Sequence, residues 1–263
     1  MRNDFSDCLL VCDIDGTLAE GQVIHPDNIR ALERFRSMSG RVVLATGRTP
    51  QSAAPLVRRL SANKLLICNN GAVLYDCHNN SVAWERTLKL GSIVEDIKEA
   101  FSGMGILSYW QDKLTMYQSS PAVERLIVDE KLQLTDEDTP TPNKLLLGDE
   151  PHKLAQAEDF LRRLLDPNEI DIVRASPHFT ELLPKNADKA GAVKRVAEIL
   201  GIKRDNLFVA GNYFNDISMM KLARVSCAPC DSPDEVKNCA DYVARACKDG
   251  AVADFIDHLI NLF

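Results

Sequence analysis

Four short apolar runs punctuate the chain, and each stops abruptly at polar residues. They are Leu9-Leu10-Val11-Cys12, Val42-Val43-Leu44-Ala45, Leu65-Leu66-Ile67-Cys68 and Leu207-Phe208-Val209-Ala210. Unbroken apolar runs of this length suit strands buried on both faces of a parallel sheet. Residues 27–39 place Ile29, Leu32 and Phe35 at helical spacing, with Pro26 before them and Gly40 after, which predicts an amphipathic crossover helix. A shorter helix is predicted over about 51–60. This strand–helix alternation predicts a parallel sheet joined by right-handed crossovers.

From residue 72 the period changes. Residues 72–75 and 82–84 flank the turn-prone His78-Asn79-Asn80, so a hairpin is predicted. A helix over 92–101, strands over 106–110 and 114–117, a polar stretch over 134–143, and a strand over 144–147 follow. An amphipathic helix over 154–165 and strands over 170–173 and 180–183 complete a separate α+β unit. After Pro184 the parallel pattern returns. It predicts a helix over 188–200, the fourth apolar run, a helix to about 222, a short strand over 225–228 and a final helix over 251–262. The fold class is α/β, a parallel-sheet core interrupted once.

Composition narrows the function. A 263-residue chain can bury a sizeable core, and 45% hydrophobic with 26% charged residues is ordinary for a globular protein. The net charge of −7, without a basic run, argues against a nucleic-acid partner. No apolar stretch reaches membrane-spanning length, and Met1 to Asp7 lack the pattern of a signal peptide, so a cytoplasmic protein with no membrane partner is expected. Of the 8 cysteines, Cys8, Cys12 and Cys68 sit in or beside apolar strands. Cys227-Ala-Pro-Cys230 has metal or redox spacing but lacks a second close pair, so reduced structural cysteines are the expectation.

The chemistry-bearing residues follow the apolar runs. The first run delivers Asp13 and Asp15 to the carboxyl end of its strand, where open α/β sheets bind ligands. Residues two apart on an extended chain face the same side, and Gly16 permits a sharp turn. Two buried acids need a cation, a proton or a lysine to balance them; a solvated acidic turn is the plainer reading of a bare pair. Thr46 follows the second run, and its hydroxyl with a free backbone amide can hold a phosphate oxygen, or simply cap the strand. Arg48 can hold anionic substrate or pair with a core acid. Lys189 opens a helix at the wrong end of the helix dipole for a cation, so a nearby anion should compensate. Lys185 and Lys194 are alternatives.

The run Asp13-Ile14-Asp15-Gly16-Thr17 after an apolar strand resembles the first motif of the haloacid dehalogenase-like phosphohydrolases. Ala45-Thr46-Gly47-Arg48 resembles the second motif, Lys189 the third, and Gly211-Asn212-Tyr213-Phe214-Asn215-Asp216 the fourth, GDxxND, with Asn212 where an Asp is usual. Ala228-Pro229, Asp234 to Lys237, Ala240 to Val243 and Asp249-Gly250 look like the Cof-type branch. The resemblance implies a Rossmann-like core over 1–84 and 185–263 with an inserted α+β cap over 85–184. It implies Asp13 as nucleophile, Asp15 as general acid/base and Lys189 as charge balance. It implies substrate binding by Thr46, Gly47, Arg48, Asn70 and Asn215, and Mg²⁺ held by Asp13, Asp15, Asn212 and Asp216. The expected activity is hydrolysis of small phosphorylated metabolites, sugar phosphates foremost, through an aspartyl-phosphate. A phosphotransferase or mutase, or a non-catalytic phosphometabolite-binding protein, is the alternative. A monomer or weak homodimer is expected.

Overall fold

The computed structural model describes residues 4–60, 64–111, 113–137, 139 and 141–263. Met1, Arg2 and Asn3 of the N-terminal stretch, and Asp138 and Pro140 of the polar stretch, lie outside the described residues. The chain divides into two compact units. One holds the chain up to Arg48, Ala53–Ala83 and Asp188–Phe263; the other holds Thr49–Ser52 and Trp84–Ala187.

In chain order the first unit opens with β1 (Leu9–Asp13), the hairpin strands β2 (Ala19–Glu20) and β3 (Val23–Ile24), and α1 (Pro26–Ser37). Then come β4 (Arg41–Ala45), α2 (Pro50–Arg59), β5 (Leu65–Cys68), β6 (Val73–Asp76) and β7 (Ser81–Glu85). Helix α1 starts at Pro26, with the His25 ring accepting from the Asp27 amide, and ends before Ser39 turns to φ 66°. The apolar runs form strands because they are buried on both sides: every residue of β1 is buried.

The second unit contains α3 (Ile93–Ala100), β8 (Gly105–Trp110), β9 (Lys113–Gln118), α4 (Pro121–Glu130), β10 (Lys144–Gly148), α5 (Pro151–Leu164), β11 (Ile170–Ser176) and β12 (Phe179–Pro184). Its five-stranded antiparallel sheet has the order β11-β12-β10-β8-β9. Alternation along β10 divides its core. Leu145 and Leu147 pack with Ile97, Leu154 and Leu161 of α3 and α5, while Leu146 packs with Val123 of α4 on the other face. Helix α4 has no counterpart in the predicted elements. Its signal is local: the Ser120 hydroxyl accepts from the Val123 amide and Pro121 fills the first helical position.

The chain returns to the first unit with α6 (Lys189–Leu200), β13 (Leu207–Ala210), α7 (Ile217–Met220), β14 (Val225–Pro229), α8 (Asp234–Lys237), β15 (Tyr242–Ala244) and α9 (Ala251–Leu262). The eight-stranded sheet has the order β15-β14-β13-β1-β4-β5-β6-β7. The strands from β15 to β5 run parallel, and β6 turns back antiparallel to β5. Leu10, Cys12, Phe35, Leu44, Phe208 and Phe255 belong to its buried core. The eight cysteines are free thiols; Cys227 is buried in β14 whereas Cys230 is exposed, so the pair does not converge on one site. Burial pushes the Cys12, Cys68 and Cys227 thiols well above the ordinary range. No helix among the described residues is long and apolar enough to cross a membrane.

Candidate active site

The sheet register brings the polar ends of four strands to one edge. Cys12 lies beside Ala210 and Asp13 beside Ala45, so Asp13, Thr46 and Gly211 follow in step at the carboxyl end. Lys189 meets them from the first position of α6. Its ammonium donates to Asp13 Oδ1 and to Asp216 Oδ1, both at 2.6 Å, and the side chain is 2% exposed. Burial works to lower the Lys189 pKa, but the two carboxylates outweigh it and hold the ammonium above its ordinary value. For Asp13 burial is the largest influence and pushes the carboxyl up; Lys189 opposes that shift and Asp216 adds to it. A cation at the start of a helix thus finds its compensation in two buried acids. Lys185 instead pairs with Asp171 at 2.7 Å within the second unit, and Lys194 is exposed.

The three groups differ in how fully they are used. Asp216 Oδ2 accepts from the Asn212 and Tyr213 amides at 2.9 and 3.1 Å, so both its oxygens have partners. Gly211 is required beside it, because a Cβ there would overlap the Asp216 side chain. Asp13 Oδ2 is buried and has no hydrogen-bond partner among the described residues. An orphaned carboxylate oxygen is costly, and it marks the point where a cation or an electrophile would be welcome.

Asp15 is placed differently. Arg48 Nε donates to Asp15 Oδ2 at 2.9 Å, Nη2 donates to Asp15 Oδ1, and Nη2 also reaches the Gly21 carbonyl at 2.8 Å. Of the two readings open for Arg48, pairing with a core acid is the one the geometry shows. Asp15 remains half-exposed, on the solvent side of the buried triad.

Thr46 needs a correction. Its amide is not free: it donates to Ile67 O at 2.9 Å, because the β4–β5 ladder continues one residue past β4. Its hydroxyl oxygen accepts from the Arg48 amide at 3.1 Å, which leaves the O–H to donate. The turn after β5 supports this loop. Asn69 and Asn70 take φ 48° and 55°, their amides donate to Arg48 O and Thr46 O, and Asn70 Oδ1 accepts from Asn215 Nδ2 at 3.1 Å. Gly47 allows Asn70 to approach; a Cβ there would stand 3.1 Å from Asn70 Oδ1.

Gly71, at φ 103°, lets the same turn press on the start of α6, where a Cβ would overlap the Asp188 carbonyl. Asp188 is the N-cap, accepting from the Gly191 amide at 2.7 Å, so this contact seats Lys189. Gly71→Ala is therefore expected to cost about 2–5 kcal/mol, from left-handed strain plus backbone overlap. Urea unfolding measures it; an unchanged midpoint would contradict the tight packing.

Two features carry no clear signal in the sequence. Thr17 is buried, and its hydroxyl donates to Asn212 Oδ1 at 3.2 Å, while a Cβ on Gly16 would overlap Asn212 Nδ2. The first and fourth motifs are thereby laced together through Asn212. The Asn69 carboxamide is fully buried with neither end partnered among the described residues.

Among the described residues no group of three or more His, Cys, Asp or Glu side chains is gathered to hold a metal ion. The donors nonetheless fit a hard cation. Two buried carboxylates face one ammonium, Asp13 Oδ2 is uncommitted, and the Asn212 amide oxygen is close to the first motif.

A family model described as haloacid dehalogenase-like hydrolase matches residues 10–256. The chain is 27% identical over 267 residues to the 5-amino-6-(5-phospho-D-ribitylamino)uracil phosphatase YcsE of Bacillus subtilis, covering 98% of both chains. It is 24% identical to the phosphatase YwpJ of the same organism, covering 96% of this chain and 99% of that one. Among solved structures, a haloacid dehalogenase-like hydrolase from Bacteroides thetaiotaomicron superposes with a TM-score of 0.84 at 27% identity, covering 96% of this chain and 99% of that one. The subclass IIB sugar phosphatase BT4131 superposes at 0.82 and 19% identity, covering 96% and 98%, a likeness of fold.

Proposed function

Because the chain belongs to the haloacid dehalogenase-like hydrolases, in the Cof-type branch, and is a phosphoric monoester hydrolase, we propose that it cleaves small phosphorylated metabolites, sugar phosphates foremost, with Mg²⁺ as cofactor. The observation that carries this reading is the Asp13–Lys189–Asp216 triad with its uncommitted Asp13 oxygen.

In the proposed reaction Asp13 Oδ2 attacks phosphorus, an aspartyl-phosphate forms, and the bond from phosphorus to the ester oxygen breaks. Asp15 gives its proton to the departing alkoxide, then takes one from the water that hydrolyses the intermediate. To do so it must release at least one of its two bonds to Arg48. Lys189 holds Asp13 in place, and its third N–H is available to a phosphoryl oxygen. The Thr46 hydroxyl donates to the same group, with Gly47, Arg48, Asn70 and Asn215 shaping the loop around it. Asp13, Asp15 and Asn212 would hold Mg²⁺, with Asp216 acting through water, and the ion would neutralise phosphoryl charge. The inserted unit, Trp84–Ala187, selects among organic groups.

Release of inorganic phosphate from a panel of phosphorylated metabolites tests the reading. Consumption of ester without matching free phosphate would favour a phosphotransferase, and binding without turnover in excess Mg²⁺ a non-catalytic role.

Asn212 supplies no charge where the family carries Asp. Asn212→Asp is nearly isosteric and can still accept from Thr17, so the added charge should lower the Mg²⁺ concentration for half-maximal rate severalfold. A Mg²⁺ titration of both proteins decides it; an unchanged or higher requirement would contradict a charge-deficient site.

A further inference from the structure

Three cations of the second unit have no part in the proposed chemistry. Lys185, an alternative to Lys189 in the sequence, is one; Arg86 and Lys89 are the others. With residues 168–170 they line one cleft of about 230 Å³, wholly inside that unit. Sites for drug-sized ligands run to about 300–1,000 Å³, so this one suits a smaller molecule.

A lone surface lysine is ordinary, and so is an exposed ion pair. This cleft differs because its walls are fixed. Leu88 N donates to Pro142 O at 2.6 Å and Asn143 Nδ2 to Arg86 O at 2.9 Å, which pins 86–88. Lys185 N donates to Glu169 O at 2.7 Å, and Ile170 pairs with Pro184 in the β11–β12 ladder, which joins 168–170 to 184–185. The Arg86 guanidinium is held as well: Nη1 donates to Lys185 O at 2.9 Å, and its carbon lies 5.7 Å from the centre of the Trp84 ring.

Charge in the cleft is unbalanced. Lys185 is answered by Asp171 at 2.7 Å. Arg86 and Lys89 make no ion pair with a carboxylate among the described residues, and Glu169 is the one acid among the lining residues. Arg86 thus presents Nε and Nη2 uncommitted, beside an unpaired ammonium. A fixed guanidinium fork with a second cation matches an oxyanion that carries two charges. Leu88, Ile170 and Pro184 add apolar surface to the same cleft.

We propose that this cleft is a second anion site, in which Arg86 and Lys89 hold a small phosphate-bearing dianion. That chemistry covers free phosphate and a short phosphate ester, whose carbons would meet Leu88, Ile170 and Pro184. Residues 86–89 and 184–185 stand at the two ends of the inserted unit, so an occupant ties its beginning to its end. The inference does not rest on the phosphatase reading, because binding needs no turnover.

Inorganic phosphate is titrated into the full chain by calorimetry, in EDTA and at low salt. Without Mg²⁺ the catalytic carboxylates repel a dianion, so the cleft is read alone. The chain has 2 tryptophans, and in Trp110→Phe the emission of Trp84 reports the cleft locally. One phosphate per chain should bind, with a saturable change in Trp84 emission. Lys89→Gln and Arg86→Gln should each weaken it roughly tenfold, and Glu169→Gln should tighten it roughly threefold. Lys194→Gln combined with Lys203→Gln, two exposed lysines outside the cleft, should leave it within about twofold. Lys89 is exposed and bonded to nothing among the described residues, so its variant keeps the test valid if Arg86→Gln fails to fold.

No saturable binding would overturn the proposal. Binding untouched by both cleft variants would overturn it in favour of the phosphoryl site, and equal weakening in the Lys194/Lys203 variant in favour of a general charge effect. Acetate bound as well as phosphate would overturn the dianion class. Propylphosphonate separates the sources: tighter binding than phosphate upholds the site for an ester, equal or weaker binding upholds it for the free ion.

Discussion

Asp13→Asn is expected to remove turnover, by roughly four orders of magnitude or more, while leaving the protein folded. The two effects separate because of the triad. The substituted carboxamide keeps the shape and an oxygen for the Lys189 ammonium, which Asp216 still balances at 2.6 Å. The substitution removes the attacking charge and changes the pairing from two acids per lysine to one. Unfolding free energy should therefore shift by no more than about 2 kcal/mol. Activity and urea unfolding, measured on the same preparation, check both halves. Substantial residual turnover would exclude Asp13 as nucleophile; collapse of stability would make its role structural.

Lys189→Met is expected to damage both. It leaves the Asp13 and Asp216 carboxylates buried without their cation, and breaking a buried pair in this way costs about 3–5 kcal/mol. Turnover should fall with it, because nothing then offsets the charge of Asp13 and the incoming phosphate. The sign of the pH dependence is fixed. Burial raises the Asp13 carboxyl from 3.8 toward about 7 even with Lys189 present, and removing Lys189 removes an opposing influence. A carboxyl raised in the folded state binds its proton more tightly there than in the unfolded chain. The variant should thus regain stability as pH falls from above about 7 toward 3.8, and lose it as pH rises through that window. Adding Asp13→Asn to Lys189→Met should restore part of the loss, since one uncompensated charge then remains instead of two. A double variant no more stable than Lys189→Met would contradict the electrostatic account.

Much of this arrangement is legible in the sequence because it is local. An apolar run ending in Asp13 or Thr46 states both the buried strand and the edge it reaches. Lys189 is legible through a local misfit, a cation at the start of a helix. Gly16 and Gly71 are glycines whose necessity lies in contacts with Asn212 and Asp188, far away in sequence, and only the fold reveals those contacts. The same holds for the Arg48–Asp15 pair and the Thr17–Asn212 bond, which join residues 33 and 195 positions apart. The Thr46 amide reads as free in the sequence because strand pairing beyond an apolar run depends on the neighbouring strand, not on the run itself. Helix α4 is the opposite case. Ser120 and Pro121 mark its start, but Val123, Leu126 and Ile127 make a narrow apolar stripe that a polar surround obscures.

The central claim is that a carboxylate of this chain, Asp13, carries the phosphoryl group during turnover. Acid-quenching the Mg²⁺-supplied protein within its first turnovers of ³²P-labelled acetyl phosphate, then mapping the labelled peptide, tests it most directly. The account predicts an acid-stable, hydroxylamine-labile label on the peptide containing Asp13, absent from Asp13→Asn. Phosphate release with no protein-bound label in the wild type, or the same label in Asp13→Asn, would contradict it.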